Sequence, residues 1–184
     1  MKINVGDILE IPTKEGLAYI LVAFDYIKAP QYGKLIKAYN QKFKDRPSIS
    51  ELSKIVANDP DFWVFTGFNE QNTQDLEIKV VINIGDQGIT YDSLPSMWIF
   101  RQGFDLSQYE KMGIDLGQVP KIIEKSVSVG IPGKTESEVK YNNIESVPKG
   151  ISGFSVVNVI ALKERLEKNY NSVDDLKLTW DKAK

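Results

Sequence analysis

The side chains of this sequence that could carry covalent or acid–base chemistry are carboxylates, amines, phenols and hydroxyls, because its 184 residues include no cysteine and no histidine. That composition excludes Ser–His and Cys–His catalysis, Cys- or His-ligated zinc, and disulfides. Paired carboxylates remain, as in glycoside hydrolysis, where one acid protonates the leaving group and the other attacks or activates water. Asp7, Glu10, Asp86, Asp92 and Asp105 are available, but no spacing singles out two of them. Gly130-Ile131-Pro132-Gly133-Lys134-Thr135 ends like a phosphate-binding loop, yet that loop needs a glycine at position 128, which is Ser. The segment reads instead as a Pro-Gly turn. Asp174-Asp175 reads as an acidic helix start, and no twelve-residue calcium loop is present. The expectation is a chain that is not an enzyme and takes no cofactor or metal.

Recognition chemistry is better represented. Tyr32, Tyr39, Phe62, Trp63 and Trp98 could stack on bases, and Lys28, Lys34, Lys37, Lys42, Lys44 and Arg46 form a locally basic stretch. A formal net charge of −2 argues against nucleic acid, and aromatics inside apolar strands usually belong to a core. Residues 1–70 hold nine charges of each sign; residues 71–120 hold three positive and seven negative, net −4; residues 121–184 hold eleven positive and nine negative, net +2. The acidic middle reads either as solvated loops or as a face that steers a basic partner.

These residues must be positioned by β-rich elements. A chain of this length buries about 70% of its unfolded surface, enough for one core without staples. Ile8–Pro12 and Leu17–Tyr26 read as a hairpin around Thr13-Lys14-Glu15-Gly16. The near-continuous apolar run of the second strand suits a strand covered on both faces or bent around a small barrel. Residues 34–40 fit a third strand or a short helix. Ser48 and Glu51 have capping-box spacing at the start of a helix over 48–57, which Asn58-Asp59-Pro60 ends. Phe62–Phe68 and Glu77–Ile84 read as central strands, Ser126–Ile131 as another, and 155–168 as the best helix of the chain. Tyr109 and Met112 have helical spacing, and Ser172 with Asp175 suggests a last cap. Met1–Asp7 meets a glycine and an acid before any signal-like apolar run, and no stretch approaches the ~20 apolar residues that span a bilayer. The expectation is a cytoplasmic protein that does not engage a membrane.

Val5-Gly6-Asp7-Ile8-Leu9-Glu10-Ile11-Pro12, Tyr19-Ile20-Leu21-Val22, Phe62-Trp63-Val64-Phe65 and Leu94-Pro95-Ser96-Met97-Trp98-Ile99-Phe100-Arg101-Gln102 together resemble, in pieces and in order, the immunity protein 26 family of bacterial polymorphic toxin systems. The likeness spans about residues 4–120 and departs from the family at Tyr19-Ile20, where Tyr-Gly is frequent. It implies a small protein that binds and neutralises a cognate protein toxin without catalysis. Within that implication the charge pattern, rather than the family, nominates Asp86, Asp92, Asp105, Glu110 and Asp115 as an acidic partner-binding face, with Tyr91 and Tyr109 as aromatic anchors. Trp98 and Phe100 alternate as one strand face would and read as core. Gly6-Asp7-Ile8 opening into a bent strand is also similar to the SH3-like barrel of MazF-type endoribonuclease toxins. Gly16-Leu17-Ala18 stands where those enzymes carry Arg-Pro, so their catalytic arginine is missing. The fold expected is a β-rich α+β domain, a bent antiparallel sheet or partial SH3-like barrel with two or three packed helices. Residues 1–120 would form the immunity-like part and 121–184 a strand-plus-helix extension on the same core. A non-catalytic recognition domain for peptide or nucleic acid is the alternative function.

Overall fold

The computed structural model describes residues 2–102 and 125–182. In chain order the first part holds β1 (Asp7–Thr13), β2 (Gly16–Tyr26), β3 (Gly33–Phe43), α1 (Ile49–Ala57), β4 (Phe62–Gly67), α2 (Glu70–Asp75), β5 (Lys79–Asn83) and β6 (Met97–Gln102). The second holds β7 (Lys125–Gly130), β8 (Val139–Tyr141), β9 (Ser152–Gly153), β10 (Val156–Asn158), α3 (Val159–Glu167) and α4 (Ser172–Lys182). The strands form a six-stranded sheet, β10-β4-β3-β2-β1-β5, and a four-stranded sheet, β8-β7-β6-β9. The fold is α+β and rich in bent sheet.

The turn at residues 13–16 sets the register of the first hairpin, placing Glu10 opposite Tyr19 and Thr13 opposite Gly16. The apolar run of β2 is explained by cover on both faces. Ala18, Ile20 and Val22 join Leu9 and Ile11 under Val159, Leu162 and Leu166 of α3. Tyr19 and Leu21 join Ile8 under Leu52 and Val56 of α1. Register shifts between Ala18 and Ile20, between Val22 and Phe24, and between Ile8 and Leu9 bend the sheet. Ser48 caps α1 in the expected reciprocal box: its hydroxyl accepts from Glu51 N (3.3 Å) while Glu51 Oε2 accepts from Ser48 N (2.8 Å).

Several elements differ from expectation for reasons that lie outside their own sequence. Residues 34–40 are strand, within β3, because β2 and β4 pair with them on both sides. β5 is an edge strand rather than a central one, since among the described residues only β1 pairs with it. The third helix begins at Val159 instead of 155: residues 156–158 pair in parallel with Phe65–Gly67, and Asn158 then caps the helix by accepting from Ala161 N at 2.9 Å. The short α2 has no counterpart in the hydrophobic pattern; Asn69 caps it, accepting from Asn72 N at 2.7 Å. Asn171, not Ser172, serves the start of α4, taking Val173 N on its side chain and Asp175 N on its carbonyl. Tyr109 and Met112 lie outside the described residues.

The two sheets meet at a cluster of Tyr26, Leu35, Phe65, Leu94 and Met97. Chain segments on either side of residue 120 enter both sheets, β6 in the smaller and β10 in the larger. Among the described residues no helix is long and apolar enough to cross a membrane.

Candidate functional site

Two of the nominated acids stand on residues 84–93, a connection that leaves the edge strand β5 and leads toward β6. Its start is tied to β1. Ile84 N donates to Gly6 O (2.9 Å), and Asn83 donates through Nδ2 to Val5 O (3.0 Å) and Asp7 Oδ1 (2.7 Å) while its Oδ1 accepts from Gly85 N (2.9 Å). Gly6 is required here, because at φ +87° a Cβ would lie 2.3 Å from Gly85 O. The far end closes as a turn in which Thr90 N donates to Ser93 Oγ (2.8 Å) and Ser93 N to Thr90 O (3.1 Å). Tyr91 then wedges inward. Its ring meets Phe24 edge-on at 4.9 Å and Tyr26 at 5.0 Å, and Lys28 Nζ lies 4.0 Å over it. Its hydroxyl accepts from Ile27 N and Lys28 N, both at 3.1 Å, so this half-buried side chain fastens the loop to the β2–β3 connection.

Asp86 and Asp92 are both exposed but electrostatically unlike. Asp92 forms an ion pair with Lys134, and the ammonium holds its carboxyl below the usual range. Asp86 accepts only from the backbone of Gly88 at 3.0 Å and has no ion-pair partner among the described residues. Ile84, 36% exposed, precedes it by two positions, and Ile27, 69% exposed, adjoins the Tyr91 hydroxyl. The structure therefore brings Asp86, Tyr91 and Asp92 onto one braced loop. Asp105, Tyr109, Glu110 and Asp115 lie outside the described residues.

The other carboxylates considered for acid–base work are committed to the frame. Asp7 is buried and accepts from Asn4 N and Asn83 Nδ2, each at 2.7 Å. Glu10 is buried between β1 and β2, where Arg46 donates through Nε and an Nη, both at 2.7 Å, and the Tyr19 hydroxyl donates at 2.9 Å. The bidentate guanidinium lowers the Glu10 carboxyl, against burial, which raises it. Burial and that carboxylate together raise the Tyr19 phenol. No motif marks this cluster in the sequence, and the usable signal is the hairpin register that puts Glu10 opposite Tyr19. Among the described residues no group of three or more Asp or Glu could hold a metal.

Most of the basic stretch has partners within the chain, Lys44 standing exposed. Lys34 pairs with Asp25 (2.6 Å), Lys37 lies 5.4 Å over Trp63, Lys42 bonds Asn169 Oδ1 (2.7 Å), and Arg46 holds Glu10. Trp98 is buried, and Phe100 meets Trp180 at 6.0 Å. One cavity of about 400 Å³ opens on the smaller sheet over Trp98, unforeseen in the sequence because it is built from β6, the 144–151 segment and α4.

Compared with known proteins, the chain matches no family model, no curated protein and no solved structure.

Proposed function

We propose that the protein is a non-catalytic binding protein that neutralises a cognate bacterial toxin in the cytoplasm, with loop 84–93 forming part of the face that meets it. The observation that carries this is a loop braced at both ends that presents the unpaired carboxylate of Asp86 beside the part-exposed Ile84. A loop already held in place loses little conformational freedom on docking, so its contacts are not offset by ordering. An exposed carboxylate on such a loop steers a basic partner and sets its orientation more than it adds affinity. Asp92 contributes less charge than its type suggests, because Lys134 neutralises it. The internal use of Asp7, Glu10, Lys34 and Arg46 supports binding over carboxylate catalysis or nucleic-acid recognition.

The test is co-expression with the C-terminal domain encoded by each neighbouring gene, scored by growth. One neighbour should kill the host, and this protein should restore growth. Asp86→Lys should then slow association with that toxin several-fold at low salt, with the difference shrinking as salt rises. Absence of any toxic neighbour, or failed rescue despite soluble expression, would overturn the proposal.

A further inference from the structure

The cavity on the smaller sheet has the size of a small-molecule site, about 400 Å³. Its floor is Trp98 and Leu176, both buried, and its walls are Ile144, Val147, Ile151 and Val173. The floor is held rigidly. Trp98 Nε1 donates to Ser172 Oγ at 2.9 Å, and a Cβ at Gly153 would stand only 2.7 Å from the indole, so the ring is clamped between β9 and α4. Ser172 Oγ also accepts from Gly153 N (2.6 Å) and donates to Ile151 O (3.3 Å), which uses the full capacity of the hydroxyl. No free donor or acceptor of this pair is left to bind a polar ligand body, so the interior accepts an apolar one.

The mouth has a different character. Lys149, Lys177 and Glu145 are all exposed lining residues, and none has an ion-pair partner among the described residues. Two cations against one anion leave the opening net positive. Aliphatic walls suit a flexible tail, and the lysines suit an anionic head. We propose that this cleft binds a single-tailed amphipathic carboxylate, a medium-chain fatty acid, with its tail over Trp98 and its carboxylate at Lys149 and Lys177. The site is distinct from loop 84–93, no residue of which lines it.

The test is calorimetric titration of the full chain with decanoate, octanoate and decylamine, with tryptophan fluorescence followed in parallel. Decanoate should bind saturably at one site. Octanoate should bind about 15-fold more weakly, since each buried methylene contributes roughly fourfold. Decylamine should bind at least about tenfold more weakly than decanoate, because the mouth is net positive. Lys149→Glu with Lys177→Glu, both exposed, should weaken decanoate about tenfold or more without shifting the melting temperature. Val173→Trp should fill the cleft and abolish binding. No saturation below about 1 mM, decylamine binding as tightly as decanoate, or unchanged decanoate binding in the double lysine variant would each overturn the proposal.

Discussion

The six-stranded and four-stranded sheets each bury an apolar cluster but differ in how their strands are brought together. In the larger, β1, β2 and β3 are neighbours in sequence and in space, and Leu9, Ile11, Ile20 and Val22 pack on one face while Tyr19 and Leu21 pack on the other. In the smaller, short strands from four separated segments converge, and a single hydroxyl, Ser172 Oγ, ties α4 to Trp98 of β6 and Gly153 of β9. Aliphatic packing is non-directional and tolerates volume-conserving exchange. A buried hydroxyl that satisfies two N–H groups has no substitute of the same shape and capacity. The larger sheet is therefore secured mainly by area, while the smaller adds a directional tie at Ser172 to its own apolar cluster of Trp98, Val127, Val129 and Leu176.

The largest effect is expected at the junction between them. Phe65 is fully buried, with ring centroids of Tyr26, Tyr32 and Phe154 at 5.8, 5.4 and 5.9 Å. Phe65→Ala should cost about 3–5 kcal/mol and lower the urea midpoint of circular dichroism and tryptophan fluorescence together. Separate transitions by the two probes would show that the sheets do not share a core.

A smaller but more selective effect belongs to Ser172→Ala, which strands the buried Trp98 Nε1–H and the Gly153 N–H. The loss should be about 2–3 kcal/mol. Amide exchange at Gly153 should accelerate while amides of β2 remain protected; uniform acceleration across both sheets would break the contrast.

The smallest effect is expected at Glu10, part of a polar cluster inside the larger sheet. Arg46 and Tyr19 keep its carboxyl below the usual range when folded. Its stabilising contribution is therefore complete above the unfolded value near pH 4.3 and is lost as pH falls through the lower folded value. Glu10→Gln should cost about 1 kcal/mol at neutral pH and flatten the fall in melting temperature below about pH 5. An unchanged acid limb would mean that Glu10 does not contribute to acid unfolding.

What could be read along the chain was local. The turn at 13–16, the capping box of Ser48 and Glu51, the burial of Trp98 and the acidic start of α4 each depend on residues within a few positions of one another. Asp86 and Asp92 were visible as excess charge, but the neutralisation of Asp92 depends on Lys134, from a distant turn. Tyr91 stood out as an aromatic among acids, while its role as a peg for residues 27 and 28 depended on a partner far away in sequence.

The amino-acid sequence by itself determined the β-rich α+β class, the first hairpin and its turn, and the lack of thiol and imidazole chemistry, because composition, turn chemistry and side-chain period act at short range. Only the tertiary structure decided that β5 is an edge, that residues 156–158 leave a helical pattern to pair with β4, that Ser172 turns inward as a hub instead of capping its helix, and that a cleft opens over Trp98. Each of these depends on backbone and side-chain partners supplied by remote segments, and a residue's own propensity yields when a distant partner satisfies its hydrogen bonds and buries its apolar surface.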